Sequence, residues 1–159
     1  MNFLKSNFVA ALLFLAVSGM VFAPTAHAHD DDLIIKPSAK SVKGTIDALK
    51  DILLAKGITV FGRVDHAMNA EKAGLELPPT ELLVFGNPKL GTPLMQSNRK
   101  IAIDLPMKAL AWQDAEGKVF LGYTDPDELK DRYDIDDKDP VFAKMKKALG
   151  AMTDKAIAK

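Results

Sequence analysis

No cysteine occurs anywhere in the 159 residues, and that absence removes several chemistries at once. Disulfides, thiolate nucleophiles, thiolate metal sites and a lipid anchor through cysteine are all excluded, so the fold must be held by its apolar core. Histidine is scarce: His27 and His29 precede the first strand-like run, leaving His66 as the one imidazole inside the folded part. Neither sign of charge is in excess, with 21 basic and 21 acidic residues, which argues against nucleic acid, because phosphate-backbone binding needs clustered positive charge. Also missing is an apolar run as long as the roughly 20 residues of a membrane-spanning helix. The longest, Phe8 to Phe22, covers 15. There is no internal repeat and no low-complexity segment.

What is present begins with an export pattern. Lys5 precedes the Phe8 to Phe22 run, Pro24 breaks it, and Ala26-His27-Ala28 supplies a small-x-small cleavage site, which predicts a signal peptide over residues 1–28. The mature protein is then periplasmic or secreted, with no stable membrane insertion after processing. Its 131 residues suit one domain and one core: an exposed segment and first strand over 29–37, within a single α+β domain over 33–159. Loss of Lys5 leaves a net charge near −1. The new terminus, His29-Asp30-Asp31-Asp32, offers an amine and an imidazole, and His66 would complete a three-nitrogen site of the kind Cu(II) favours. The plainer reading is a solvated acidic tip.

Along the chain, Leu33 to Lys36 reads as a short strand ended by Pro37. Val42, Ile46, Leu49 and Leu53 form one stripe of a helix, capped by Ser38 or Ser41 and stopped by Gly57. Ile58 to Val64 reads as a second strand, and Asp65 as the cap of a short helix, His66 to Lys72, closed by Gly74. Thr80 to Phe85, apolar on both faces, is predicted to be an inner strand. Pro93 to Ser97 supplies one or two helical turns. Met107 to Trp112 and Lys118 to Thr124 form a hairpin around Gly117, with Trp112 and Tyr123 as cross-strand neighbours. Pro126 and Pro140 each open a helix. The stripe Phe142, Met145, Leu149 and Met152 fits packing on the sheet or on a second subunit.

Between the central strand and the hairpin, glycine and proline prescribe the backbone. Gly86-Asn87-Pro88-Lys89-Leu90-Gly91-Thr92 has the glycine spacing of a phosphate loop, but Thr92 stands where the lysine belongs and Pro88 removes an amide. It is therefore no nucleotide site. What remains is a tight turn in which Gly86, Asn87, Gly91 and Thr92 meet a small ligand through exposed amides, or a purely structural turn.

These residues also carry a resemblance. Phe85-Gly86-Asn87-Pro88-Lys89, Gly91-Thr92-Pro93-Leu94-Met95, Asp104-Leu105-Pro106 and Tyr123-Thr124-Asp125-Pro126 are similar to the signature of the domain-of-unknown-function 302 family, over about Leu33 to Leu149. The resemblance implies a small, self-associating α+β domain and brings no catalytic motif.

The expected architecture is a two-layer α+β domain, a mixed sheet of about five strands with helices on one face. Three functions compete. One is an envelope binding module using the Gly86 to Thr92 turn for a small apolar or weakly anionic ligand. Another is an enzyme in which His66 acts as general acid or base, oriented by Asp65 or Asp104. The third is a copper protein using His29 and His66. If the strand before His66 runs parallel to Thr80 to Phe85, then His66, Asn87 and Asp104 converge on one cavity at the carboxyl end of the central strand.

Overall fold

The computed structural model describes residues 32–159, so the expected signal peptide and His29 lie outside it. The order is β1 (Leu33–Ser38), α1 (Val42–Ala55), β2 (Thr59–Asp65), α2 (His66–Lys72), β3 (Thr80–Gly86), α3 (Pro88–Ser97), β4 (Met107–Gln113), β5 (Val119–Thr124), α4 (Pro126–Arg132) and α5 (Asp139–Ile157). Short 3-10 turns cover Arg99–Ile103 and Asp136–Lys138.

The five strands make one sheet in the order β1-β5-β4-β3-β2. Each neighbouring pair is antiparallel, so the α+β class holds but the sheet is not mixed. The reason lies in α2. A parallel crossover must travel back the full length of a strand, here about 23 Å for seven residues. The seven-residue α2 covers only about 10 Å, so the chain turns at the same end of the sheet and Asp65 pairs with Glu81.

One face of the sheet is covered. Leu83, Phe85, Met107, Ala109, Ala111, Leu121 and Tyr123 are buried there, with Ile46, Leu49 and Leu53 of α1 and Phe142, Met145, Leu149 and Met152 of α5. Each such large side chain contributes about 1.5–3 kcal/mol by leaving water. The Phe142 stripe thus serves this chain's own core, not a second subunit. Polar ties fix the layers: Lys36 Nζ donates to Thr153 Oγ1 (2.9 Å) and the Gly150 carbonyl (3.3 Å) on α5. Buried Glu81 is paired with Arg63, which also reaches Asp47 on α1.

Among the described residues the opposite face carries no layer of large helices. The ladder sets Val64, Leu82, Leu110, Gly122 and Ile35 in one row across it, and Trp112 beside Phe120 and Pro37 in the next. The Trp112 and Phe120 rings stack with centroids 5.7 Å apart. Trp112 therefore neighbours Phe120, while Tyr123 pairs with Ala109 on the covered face, which corrects the expected Trp112–Tyr123 pair. A Cβ on Gly122 would sit 3.0 Å from the Trp112 ring, so glycine there lets the indole lie against the sheet.

Candidate functional site

The site is built where β3 ends. Asn87 follows Gly86 and caps α3: its Oδ1 accepts from the Lys89 amide at 2.9 Å, and Pro88 occupies the first turn, where a missing N–H costs nothing. What the sequence presents as a turn is thus the start of a ten-residue helix. Its amides are already used, because those of Leu90 and Gly91 donate to the Asn87 carbonyl. The expected cradle of free amides is absent there, and the polar groups left at the site are the Asn87 side-chain amide and the Thr92 hydroxyl.

Between α3, the sheet and α5 lies a cavity of about 260 Å³, close to the lower bound of roughly 300 Å³ for small-molecule pockets. Ile58 and Phe61 come from the β2 side, Phe85 and Gly86 from β3, Leu90, Gly91, Thr92 and Met95 from α3, and Met145, Leu149 and Met152 from α5. Leu105, Pro106 and Met107 close the remaining side. Gly86 permits close approach, since a Cβ there would meet Pro106 at 3.3 Å. The walls are predominantly carbon and thioether sulfur. Four methionines from three elements, Met95, Met107, Met145 and Met152, make an adaptable, polarisable lining. Phe61, at the bulge between Val60 and Gly62, is 57% exposed.

Gly86, Asn87, Gly91 and Thr92 all line this cavity. Asp104 is at the same end of the sheet, because β4 runs opposite to β3, but it does not line the space. It is engaged instead: Tyr133 Oη donates to its Oδ2 at 2.6 Å and Arg132 Nη1 at 3.1 Å, and Arg132 also reaches Asp32. Burial pushes the Asp104 carboxyl upward, but those hydrogen bonds and the Arg132 and Lys108 charges outweigh it and hold it below the ordinary carboxylate range.

His66 and Asp65 sit at the other end, a consequence of the antiparallel β2–β3 pair. The expected convergence of His66, Asn87 and Asp104 on one cavity does not occur. His66 is exposed, and Asp65 caps α2 by accepting from the Met68 amide at 2.8 Å. Among the described residues no group of three or more His, Cys, Asp or Glu is arranged to hold a metal.

Comparison with known proteins fixes the lineage. The family described as Domain of unknown function DUF302 matches residues 34–152. The chain belongs to that family. A solved DUF302 structure, an uncharacterised conserved protein from Bacillus stearothermophilus, superposes with a TM-score of 0.71 at 21% identity, covering 79% of this chain and 98% of that one; this establishes the common fold. Curated relatives include "Fluoride-specific ion channel FluC 1" of Brucella suis biovar 1, 46% identical over 114 residues, which cover 72% of this chain and 45% of that protein. "Fluoride-specific ion channel FluC 2" of Brucella melitensis biotype 1 is likewise 46% identical, with 42% of its length covered. The chain spans less than half the length of these relatives.

Proposed function

We propose that this DUF302 protein is an exported binding module holding a small, largely apolar ligand in the cavity between β3, α3 and α5. The observation that carries this reading is Gly91. Glycine inside a helix costs about 1 kcal/mol relative to alanine, and Gly91 has no positive φ to require it. A Cβ there would lie 3.6 Å from Leu105 and 3.8 Å from Met95, both wall residues, so what the glycine contributes is space. Native mass spectrometry of protein purified from its own compartment tests the reading as a whole. It should find a chain starting at or near His29 with a small molecule bound, and that molecule should be lost on Gly91→Phe. Retention of Met1 to Ala28 would contradict export, and an empty wild-type protein that also fails to take up 1-decanol would contradict the binding role.

The names of the Brucella relatives do not extend to this chain. The shared stretch is about as long as the α+β domain, and among the described residues no helix is long and apolar enough to cross a membrane. We infer that channel activity resides in the remainder of those longer proteins. Nor does the geometry favour the rival roles for His66, which is not among the residues lining the groove at its end of the sheet and whose neighbour Asp65 is engaged in capping α2.

A second reading, compatible with the first, is self-association through the open sheet face. Its support is the apolar row from Val64 to Ile35 together with the Trp112–Phe120 stack, an apolar area of the kind interfaces use. Among the described residues, Lys108 is the one charged residue in the central rows of that face. Sedimentation should show a dimer at micromolar concentration that Leu110→Lys converts to monomer; a wild-type monomer would refute it.

A further inference from the structure

We propose that the ligand of this cavity is an anionic amphiphile, an apolar chain seated among the methionines with a carboxylate-class head at the rim. This rests on the cavity reading above and adds the sign of the ligand's charge. The argument is the segregation of charge in a chain that is neutral overall. The cavity walls come from four stretches, residues 52–64, 82–103, 105–113 and 140–153, and none of them contains a single Asp or Glu. The same stretches carry Lys56, Lys89, Arg99, Lys100, Lys144 and Lys147, all exposed and without an ion-pair partner among the described residues. Lys89 lies between the wall residues Pro88 and Leu90, and Lys144 directly precedes Met145. The acids that reach these stretches are engaged: Asp104 by Tyr133 and Arg132, Asp137 by Ser97 and Lys138, and Asp47 and Glu81 by Arg63.

The acids are elsewhere. Asp125, Asp127, Glu128, Asp131, Asp136 and Asp139 lie in and around α4, where Lys130 holds Asp136 and Asp139, and Lys146 of α5 holds Asp125 and Asp127. Like-charged residues gathered around a low-dielectric opening focus a field and raise the local concentration of the opposite charge. With the α3 amides committed to Asn87, charge recognition falls to these side chains, and the Asn87 amide and Thr92 hydroxyl supply neutral hydrogen bonds. The cavity holds roughly nine water volumes, which suits a chain of on the order of eight to ten carbons.

Titration of the full mature protein with sodium decanoate, 1-decanol and decyltrimethylammonium, each below self-assembly, tests this by calorimetry. Decanoate should bind about tenfold more tightly than decanol and the ammonium compound most weakly. The decanoate advantage should shrink several-fold between about 0.01 M and 1 M salt, as screening predicts. The double variant Lys89→Gln, Lys144→Gln should lose most of that advantage while binding decanol as before. Equal affinity for decanoate and decanol would overturn the anionic class and leave the cavity reading standing; failure of all three to bind would overturn both. Capture of phosphatidylglycerol vesicles without binding of decanoate would overturn the carboxylate class by placing the anion in the phosphodiester headgroup of a lipid surface.

Discussion

The two ends of the sheet are built from the same antiparallel ladder, yet among the described residues one holds an apolar cavity and the other a wide, more polar groove lined by Asp65, Met68, Glu71 and Glu81. At the end where β3 finishes, the chain enters a helix at once, and α3 and α5 roof the sheet with methionine and leucine around about 260 Å³. Where β3 begins, the chain arrives from a seven-residue helix and an exposed linker, with Leu75 66% and Leu77 45% exposed. The second end holds His66 and Asp65, the titratable residues to which a sequence reader turns first. The lesson is that residue chemistry nominates candidates, whereas strand direction and helix length decide which of them meet. His66 is exposed and its neighbouring aspartate is engaged in a cap.

The strongest way to break this contrast is to remove a wall that is also core. Phe85→Ala should cost about 3–5 kcal/mol in denaturant unfolding, because Phe85 is 3% exposed. A loss under about 1 kcal/mol would mean that the cavity end is not part of the core.

Asp104→Asn should cost about 1.5 kcal/mol, the worth of a hydrogen-bonded charge. Since the folded carboxyl titrates below its unfolded value, its contribution is full above the ordinary carboxylate range and is lost as pH falls through the depressed folded value. The wild-type advantage over the variant should therefore fade on acidification below about pH 4. An advantage independent of pH would remove the ion-pair account.

Gly91→Ala separates stability from binding. It should stabilise the fold by about 0.5–1 kcal/mol through helix propensity while weakening decanol binding several-fold. Unchanged affinity would show that the glycine is not keeping the space open.

His66→Ala should leave stability within about 0.5 kcal/mol of wild type, as for other exposed positions, and leave decanol affinity unaltered. Loss of binding would return the imidazole to the site.

Much of the architecture was legible because its signals are local. The Val42 to Leu53 stripe, the Ser41 cap and positive φ at Gly57, Gly74 and Gly117 follow from residues within a few positions of one another. Strand direction was not legible, because it depended on whether α2 was long enough to cross the sheet. The Trp112–Tyr123 expectation failed on register: the ladder pairs Trp112 with Phe120 and puts Tyr123 on the other face. At the site, Gly86, Asn87, Gly91 and Thr92 were recognisable from glycine and proline punctuation, though Asn87-Pro88 also spells a helix cap followed by a first-turn proline. The contribution of Met145, Leu149 and Met152 could not be read, since it requires α5, some fifty residues downstream, to dock over the end of β3. The engagement of Asp104 by Tyr133 was hidden for the same reason.

The methionines offer the most direct measurement of the central claim. Met95, Met107, Met145 and Met152 line the cavity, whereas Met68 lies on α2 at the His66 end and is 45% exposed. With the methyl groups isotopically labelled, an NMR titration with decanol reads both ends of the sheet in one sample. Saturable shifts at the four wall methyls with Met68 unmoved are the result predicted here; shifts at Met68 with the four wall methyls unmoved would contradict it.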